Sequence, residues 1–328
     1  MISIWAPDGV GEVRRGDDLA DHVLAAFSGA AFSGAAFSGA ELADGDVVCV
    51  TSKVVSKAEG RVVAGDRAEA IVRETRRLVA RRGPLSIVVN RLGLTMAAAG
   101  VDASNVEPGH VLLLPADPDG TARALRAAIA RRAGANVAVL VTDTAGRPWR
   151  EGQTDVAIGA AGLLPLDDHV GRVDPYGNTL EVTAPALADE MAGAAELASR
   201  KLARRPFVVV RGRADVVLPT GDDGPGASTL IRPEGTDLFG LGAREAVLAA
   251  LSSRPGDRRA FGAAVDPEDL RDVLEGLTGA EARLDGGAVV LTTADPRALW
   301  AAEVASYAHG WQTESRDASR IRLTSTTP

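Results

Sequence analysis

Runs rich in Val and Ile alternate along this chain with Ala-rich stretches of helical period, and the two textures mark out strands and helices. Continuous apolar runs predict strands at "DVVCVTSKVVSK" (46–57), "LSIVVNR" (85–91), "HVLLLPA" (110–116), "ANVAVLVTD" (135–143), "PFVVVRG" (206–212) and "DVVLP" (215–219). Amphipathic spacing predicts helices over 67–83, 121–134, 184–205 and 236–253, three of them behind a turn-forming Asp, Gly or Thr. After residue 253 a polar Pro/Gly joint, "SSRPGDRR", changes the texture. Beyond it come a helix from about Pro267, a hairpin over 282–294, a helix over 295–311 and a last strand over 319–326. The mixture predicts an α/β or α+β chain, with a small separate α+β module of about 75 residues at 254–328.

The stretch "FSGAAFSGAAFSGA" (27–40) repeats a five-residue unit that fits neither helical nor strand periodicity. Gly at every fifth position weakens a helix, so the repeat reads as an expanded linker.

Composition narrows the chemistry. Apolar residues make up 46% of 328, enough for a core, but aromatics are only 4%, so that core must use small aliphatic side chains. A net charge of −8 argues against nucleic acid as a bulk partner. The one cysteine, Cys49, sits among valines, which makes an inert buried thiol the simpler reading and a reducing compartment, the cytoplasm, the natural one. No export signal or membrane-spanning run is visible in the sequence.

Neither common nucleotide fingerprint occurs, and the four histidines (His22, His110, His169, His309) form no zinc-type spacing. Carboxylates are then the candidate ligands of a hard cation such as Mg²⁺ or Mn²⁺. Asp143 ends an apolar strand, where side chains reach the crevice beyond the carboxyl end, and Thr144 adds a hydroxyl beside it. Asp102 follows another apolar stretch, with Asn105 three residues on. An Asp at a strand end serves equally as a turn or cap residue. Lys53 and Lys57 share one face of the expected strand at even spacing, near Ser and Thr hydroxyls; a solvated surface strand would look the same. Arg147 and Arg150 could clamp a phosphate or carboxylate in forked geometry, or lie in solvent.

Five segments together resemble one family, the coenzyme F420-0:L-glutamate ligases, also called F420 γ-glutamyl ligases. They are "TSKVVSKAEGR" (51–61), "NRLGLTMAAAGVDASNVEPG" (90–109), "VTDTAGRPWREGQTDVAIGAAGLLPLDDHVGRVDPYGNTL" (141–180), "ALADEMAGAAELASRKL" (186–202) and "PFVVVRG" (206–212). The resemblance covers roughly residues 1–245 in family order. It implies the family's two-subdomain α+β architecture with mixed and antiparallel sheets, assembled as a homodimer. It also implies a GTP-dependent ligase that activates the terminal carboxylate of the coenzyme's lactyl-phosphate arm as an acyl phosphate. The amine of L-glutamate then displaces phosphate, and further γ-linked glutamates can follow. Two divalent ions, Mg²⁺ or Mn²⁺, with K⁺, would offset the charge of the reacting anions.

Carried over, the resemblance makes Asp102 and Asp143 ligands of one metal and Thr144 of the second. Val10, Gly11, Glu12, Val13, Ser52, Lys53, Lys57, Asn105 and Lys201 become nucleotide contacts, and Arg147, Arg150 and Glu151 the catalytic residues that orient substrate. Two departures stand out. In "ASRKL", Arg200 occupies a position where the family often has glycine, and the "FSGAA" insertion has no family counterpart. The tail echoes the opening of a nitroreductase-like flavin domain that some relatives carry, but about 75 residues are too few for that fold. It is expected to be a degenerate or unrelated module without FMN. Two rivals read the same residues as a metal-dependent phosphate-ester hydrolase or as a non-catalytic F420-binding homologue.

Overall fold

A computed structural model describes residues 1–28 and 41–326, so most of the FSGAA repeat lies outside the described residues. The described chain is α+β and falls into two contact-defined units, Met1–Arg77 with Val88–Ile231, and Leu78–Ile87 with Arg232–Pro328.

In the first unit the elements run β1 (Ser3–Trp5), α1 (Leu19–Ala26), β2 (Val47–Thr51), α2 (Ser52–Ala58), β3 (Val62–Ala64) and α3 (Arg67–Glu74). Then come β4 (Thr75–Arg82) and β5 (Leu85–Asn90), whose outer parts count with the second unit, and β6 (Thr95–Ala97), which completes a three-stranded sheet. β7 (His110–Leu112), α4 (Pro118–Ala133), β8 (Ala138–Arg147), β9 (Arg150–Ala161), α5 (Leu187–Ser199) and β10 (Phe207–Arg211) follow.

The main sheet has the order β1-β10-β2-β8-β9, with β2 and β8 parallel and the other neighbours antiparallel. Strand period divides its apolar residues between two cores. Val48, Val50, Val139, Val141 and Val209 face the side covered by α1 and α4, while Val47, Cys49, Leu140, Val208 and Val210 face the side covered by α5. Burial on both faces is why β2, β8 and β10 read as unbroken apolar runs instead of alternating ones. Helix α4 comes so close to β9 that a Cβ at Gly159 would lie 2.5 Å from the Pro118 backbone carbonyl, and only glycine permits that approach.

Several expected elements differ, among them the helix over 236–253, which begins only at Ala243. Residues 67–83 are not one helix: α3, capped by Asp66 on Ala68 N and Glu69 N, stops at Glu74, and Thr75–Arg82 is a strand paired through a turn at Gly83 (φ +59°). Its β-branched Thr75 and Val79 suit a sheet as well as a helix face. Residues 52–57 are helix α2 and not the continuation of β2. Residues 215–219 form a 3-10 turn over Ala214–Val216 and a single bridge from Val217 to Leu163, because this segment is anchored by Arg126 and not by a sheet. Arg126, on α4 and almost fully buried, donates to the Leu218, Pro219 and Asp222 carbonyls and to Asp223 at 2.8 Å.

The second unit holds α6 (Ala243–Ser252), α7 (Pro267–Thr278), β11 (Ala282–Asp285), β12 (Ala288–Thr292), α8 (Pro296–Ala308), β13 (Trp311–Arg316) and β14 (Arg320–Ser325). Its antiparallel sheet, ordered β11-β12-β14-β13, packs Val289, Leu291, Ile321, Leu323 and Trp311 against Leu270 and Leu274 of α7 and Leu299 of α8. The Leu78–Ile87 segment belongs to this unit through Gly242 N donating to Val79 O and Arg81 N to Glu245.

Candidate functional site

The parallel strands β2 and β8 are in register from Val47–Ala138 to Thr51–Thr142, and a cleft of about 510 Å³ opens beyond their carboxyl ends. That is where an open sheet leaves side chains free to meet a ligand, and the size suits a small-molecule ligand. One residue past the paired ends, Ser52 Oγ donates to Asp143 Oδ1 at 2.6 Å. β8 runs on as one arm of a hairpin with β9, which sets Thr144 opposite Asp155. Thr144 Oγ1 donates to Asp155 Oδ1 at 2.8 Å, and Thr142 Oγ1 to Asp155 Oδ2 at 3.2 Å.

The cations arrive from two other directions. Lys53 and Lys57 are four residues apart on α2, hence neighbours on one helix face. A spacing of four is even as well as one helical turn, so the shared face survives although the expected strand does not. Lys53 Nζ lies 2.5 Å from Asp102 Oδ2 and 2.6 Å from Ser104 Oγ; Lys57 Nζ lies 3.2 Å from Glu12 Oε1. The turn after α5 supplies Lys201 with Arg200, Arg204 and Arg205. Arg200 and Arg204 both have left-handed backbone, φ +55° and +57°, which explains why glycine would sit comfortably at the first of these positions. Lysine is scarce here, with only Lys53, Lys57 and Lys201 among 36 Lys and Arg residues, and all three line this one cleft.

Of the residues singled out from sequence, Val10, Gly11, Glu12, Val13, Lys53, Lys57, Asn105, Asp143, Thr144 and Lys201 line the cleft. Ser52 and Asp102 are not among the lining residues but are joined to them by the contacts above. Arg147, Arg150 and Glu151 do not line it: they sit exposed at the tip of the β8–β9 hairpin, where Arg147 Nη2 donates to Glu151 O at 2.8 Å. At ~3.3 Å per residue the tip is ~13 Å along the strand from Asp143. Sequence reasoning passed over Asp155 and Glu196, both of which line the cleft. Cys49 lies in the cleft wall, but burial pushes its thiol up to about 12, so it is an inert wall residue.

The electrostatics are those of an acidic floor under a basic rim. Desolvation, together with the neighbouring Asp155 and Asp102 carboxylates, raises Asp143 to about 6 against the pull of Ser52 and Lys53. Burial and Asp155 raise Glu196 as well. Half-burial works against ionisation of Asp102, but Lys53 and the Ser104 donors outweigh it and hold that carboxyl below its usual range.

Among the described residues no three His, Cys, Asp or Glu side chains converge as a cage for one metal ion. The donors present are carboxylate and hydroxyl oxygens, and Asp143 is a carboxylate short of positive charge. That set fits Mg²⁺ or Mn²⁺, since Mg²⁺ is commonly held by one or two carboxylates, waters and substrate phosphates. Asp143 and Thr144 are the residues placed to serve it.

Comparison with known proteins gives the following similarities. The family model described as F420-0:Gamma-glutamyl ligase matches residues 9–212. The coenzyme F420:L-glutamate ligase of Methanothermobacter thermautotrophicus is 34% identical over 262 residues, 73% of this chain and 98% of that protein. Its namesake from Methanopyrus kandleri is 38% identical over 251 residues, covering 70% and 93%, and that from Archaeoglobus fulgidus 37% over 231, covering 64% and 88%. The matched segment takes in all the residues that line the cleft.

Proposed function

The chain belongs to the F420-0:gamma-glutamyl ligase family, and on that premise we propose that it joins L-glutamate to the terminal carboxylate of F420-0 using GTP. The observation that carries this reading is the gathering of every lysine of an arginine-rich chain around one cleft. An ammonium is a compact point charge suited to phosphate, whereas guanidinium is the default cation of this sequence.

In this reading Lys53 and Lys57 meet the phosphates of GTP from α2, and Lys201 meets them from the turn after α5. The F420-0 carboxylate attacks the γ-phosphorus, the bond to the β–γ bridging oxygen breaks, and GDP leaves. The glutamate amine then attacks the acyl carbon, gives up a proton, and releases phosphate as the amide forms. Divalent ions bound at the acidic floor would neutralise charge developing on the transferred phosphoryl group. Burial and acidic neighbours raise Asp143 to about 6, so a cation bound beside it would favour its charged form. Arg147, Arg150 and Glu151 belong to the far end of the acceptor, away from the reacting carboxylate.

A homodimer completes the proposal. The segment 164–182 leaves Leu164, Val170, Val173, Tyr176 and Val182 each more than half exposed, an apolar surface suited to a second copy. No described helix is long and apolar enough to cross a membrane.

Incubation of the protein with F420-0, GTP, Mn²⁺ and L-glutamate, followed by mass spectrometry, tests the reading. The expected product is F420-0 heavier by whole glutamyl units. Phosphate released without a glutamate-dependent product would point to a hydrolase, and binding without turnover to a non-catalytic homologue.

A further inference from the structure

Asp155 has no place in the reading above, yet it lines the cleft and takes hydroxyl bonds from Thr144 at 2.8 Å and Thr142 at 3.2 Å. No cation among the described residues forms an ion pair with it. Its negative charge is felt by its neighbours, since both Asp143 and Glu196 are raised in part by it.

A hydroxyl has one proton and two lone pairs. A free threonine rotor can turn its proton toward a carboxylate or toward solvent, and in doing so turns a lone pair away from any cation beside it. Asp155 removes that freedom. With the Thr144 proton fixed on Asp155 Oδ1, the remaining lone pairs of Oγ1 face away from β9. A charged acceptor also draws the proton further from the oxygen than a neutral amide would, which makes the oxygen a better donor to a metal. Thr142 is held in the same way from the second carboxylate oxygen, so both oxygens of Asp155 are occupied by hydroxyl protons.

We propose that Asp155 is a positioning residue that locks Thr144 as an oxygen ligand for a divalent cation in the cleft, acting through the Thr144 hydroxyl and not by direct ligation. The inference rests on the ligase reading for the presence of a divalent cation at all. It assigns to β9 a part in the site that the sequence pattern of β8 does not reveal.

The test is calorimetric titration of Mn²⁺ into the full chain, without nucleotide or acceptor, so that the readout is metal affinity and not turnover. The wild type is compared with Thr144→Val, Asp155→Ala, the near-isosteric Asp155→Asn, and the double variant Thr144→Val/Asp155→Ala. Thermal melts without metal establish folding in each case. Loss of an outer-shell partner of this kind weakens metal binding by about 10–100-fold, and Asp155→Ala is expected to fall in that range, with Asp155→Asn losing less because its amide oxygen still accepts from Thr144. The double variant should bind no more weakly than the worse single variant, because both changes abolish the same contact. Wild-type affinity in Asp155→Ala and Asp155→Asn would overturn the proposal. Losses that multiply in the double variant would overturn it as well, by making Asp155 a ligand in its own right. A wild-type protein that binds no Mn²⁺ would remove the ligase reading's metal, and this proposal with it; that outcome is distinguished by the wild-type titration alone.

Discussion

The Ser52 hydroxyl donates to Asp143 at 2.6 Å across the ends of two parallel strands, which ties the start of α2 to the floor of the cleft. Asp143 contributes charge at that point and no core volume. Asp143→Ala is therefore expected to lower ligation by at least about 100-fold while leaving the melting temperature of the metal-free protein unchanged or higher, since repulsion with Asp155 is relieved. Product formation by mass spectrometry and a thermal melt check both halves. Near-normal turnover at saturating Mn²⁺ would remove Asp143 from the metal site.

The elevated Asp143 gives stability a pH dependence of known sign. In the folded chain the group titrates at about 6, against an ordinary value of 3.8, so the folded state holds the proton more tightly. Its contribution is greatest below about pH 4 and is lost as pH rises through 6. The displacement corresponds to about 3 kcal/mol. Urea denaturation of the metal-free wild type and Asp143→Asn from pH 4 to 8 should show the wild type losing about that much relative to the variant. A pH-independent difference would contradict the buried, charge-crowded setting of this carboxyl.

Lys57 pairs with the exposed Glu12 at 3.2 Å, a contact that a polyanion can readily displace. Charged hydrogen bonds contribute about 1.5–3 kcal/mol, so Lys57→Ala should raise the KM for GTP about 10–100-fold with little change in that for glutamate. Lys57→Arg should recover only part of the loss, because guanidinium is broader and flatter than the ammonium it replaces. Steady-state kinetics with each substrate varied in turn decide the matter; a change confined to glutamate would place Lys57 on the acceptor side.

Arg126 stakes the 218–223 segment to α4 through bonds to three carbonyls and Asp223. Arg126→Ala takes this donor from the Pro219 and Asp222 carbonyls and from the part-exposed Asp223, while Leu218 O keeps Asn136 Nδ2, so the cost is expected to be up to about 3 kcal/mol. Chemical denaturation should show a loss of that size. Gly162 should be as intolerant, since a Cβ there (φ +79°) would lie 2.3 Å from Arg126 Nε.

The cleft lining ends at Val208, well before the second unit's helices and sheet. A chain ending at Ser253 should therefore ligate at a normal rate per folded molecule while melting at a lower temperature, and the full protein should show no flavin absorbance. Stoichiometric FMN, or a folded but inactive shortened chain, would give the C-terminal residues a direct part in the reaction.

The apolar runs made β2, β8 and β10 legible because burial on both faces leaves no room for polar alternation. Lys53 and Lys57 were found on the wrong element, since a spacing of four is compatible with either period. Asp155 could not be found by counting. A hairpin through Pro148 and Trp149 is foreseeable from the sequence, but the irregularity between Gly146 and Arg147 shifts the register, and only that shift brings Asp155 opposite Thr144. Arg147 and Arg150 looked like cleft residues because they follow Asp143 closely, whereas the strand carries them outward along its axis.

The second unit is assembled from two stretches, Leu78–Ile87 and Arg232–Pro328, separated in the chain by most of the first unit. During synthesis the early stretch leaves the ribosome long before its hydrogen-bonding partners at Gly242 and Glu245 exist. At about 5–20 residues per second the wait is roughly 8–33 s. For that interval Leu78, Val79 and Ile87 lack those partners, while Leu85 stays about half exposed even in the finished fold, and Arg76, Arg77, Arg81 and Arg82 flank them. Four guanidinium groups beside these apolar side chains repel their counterparts on neighbouring nascent chains, which disfavours edge-to-edge association while the chain is unfinished.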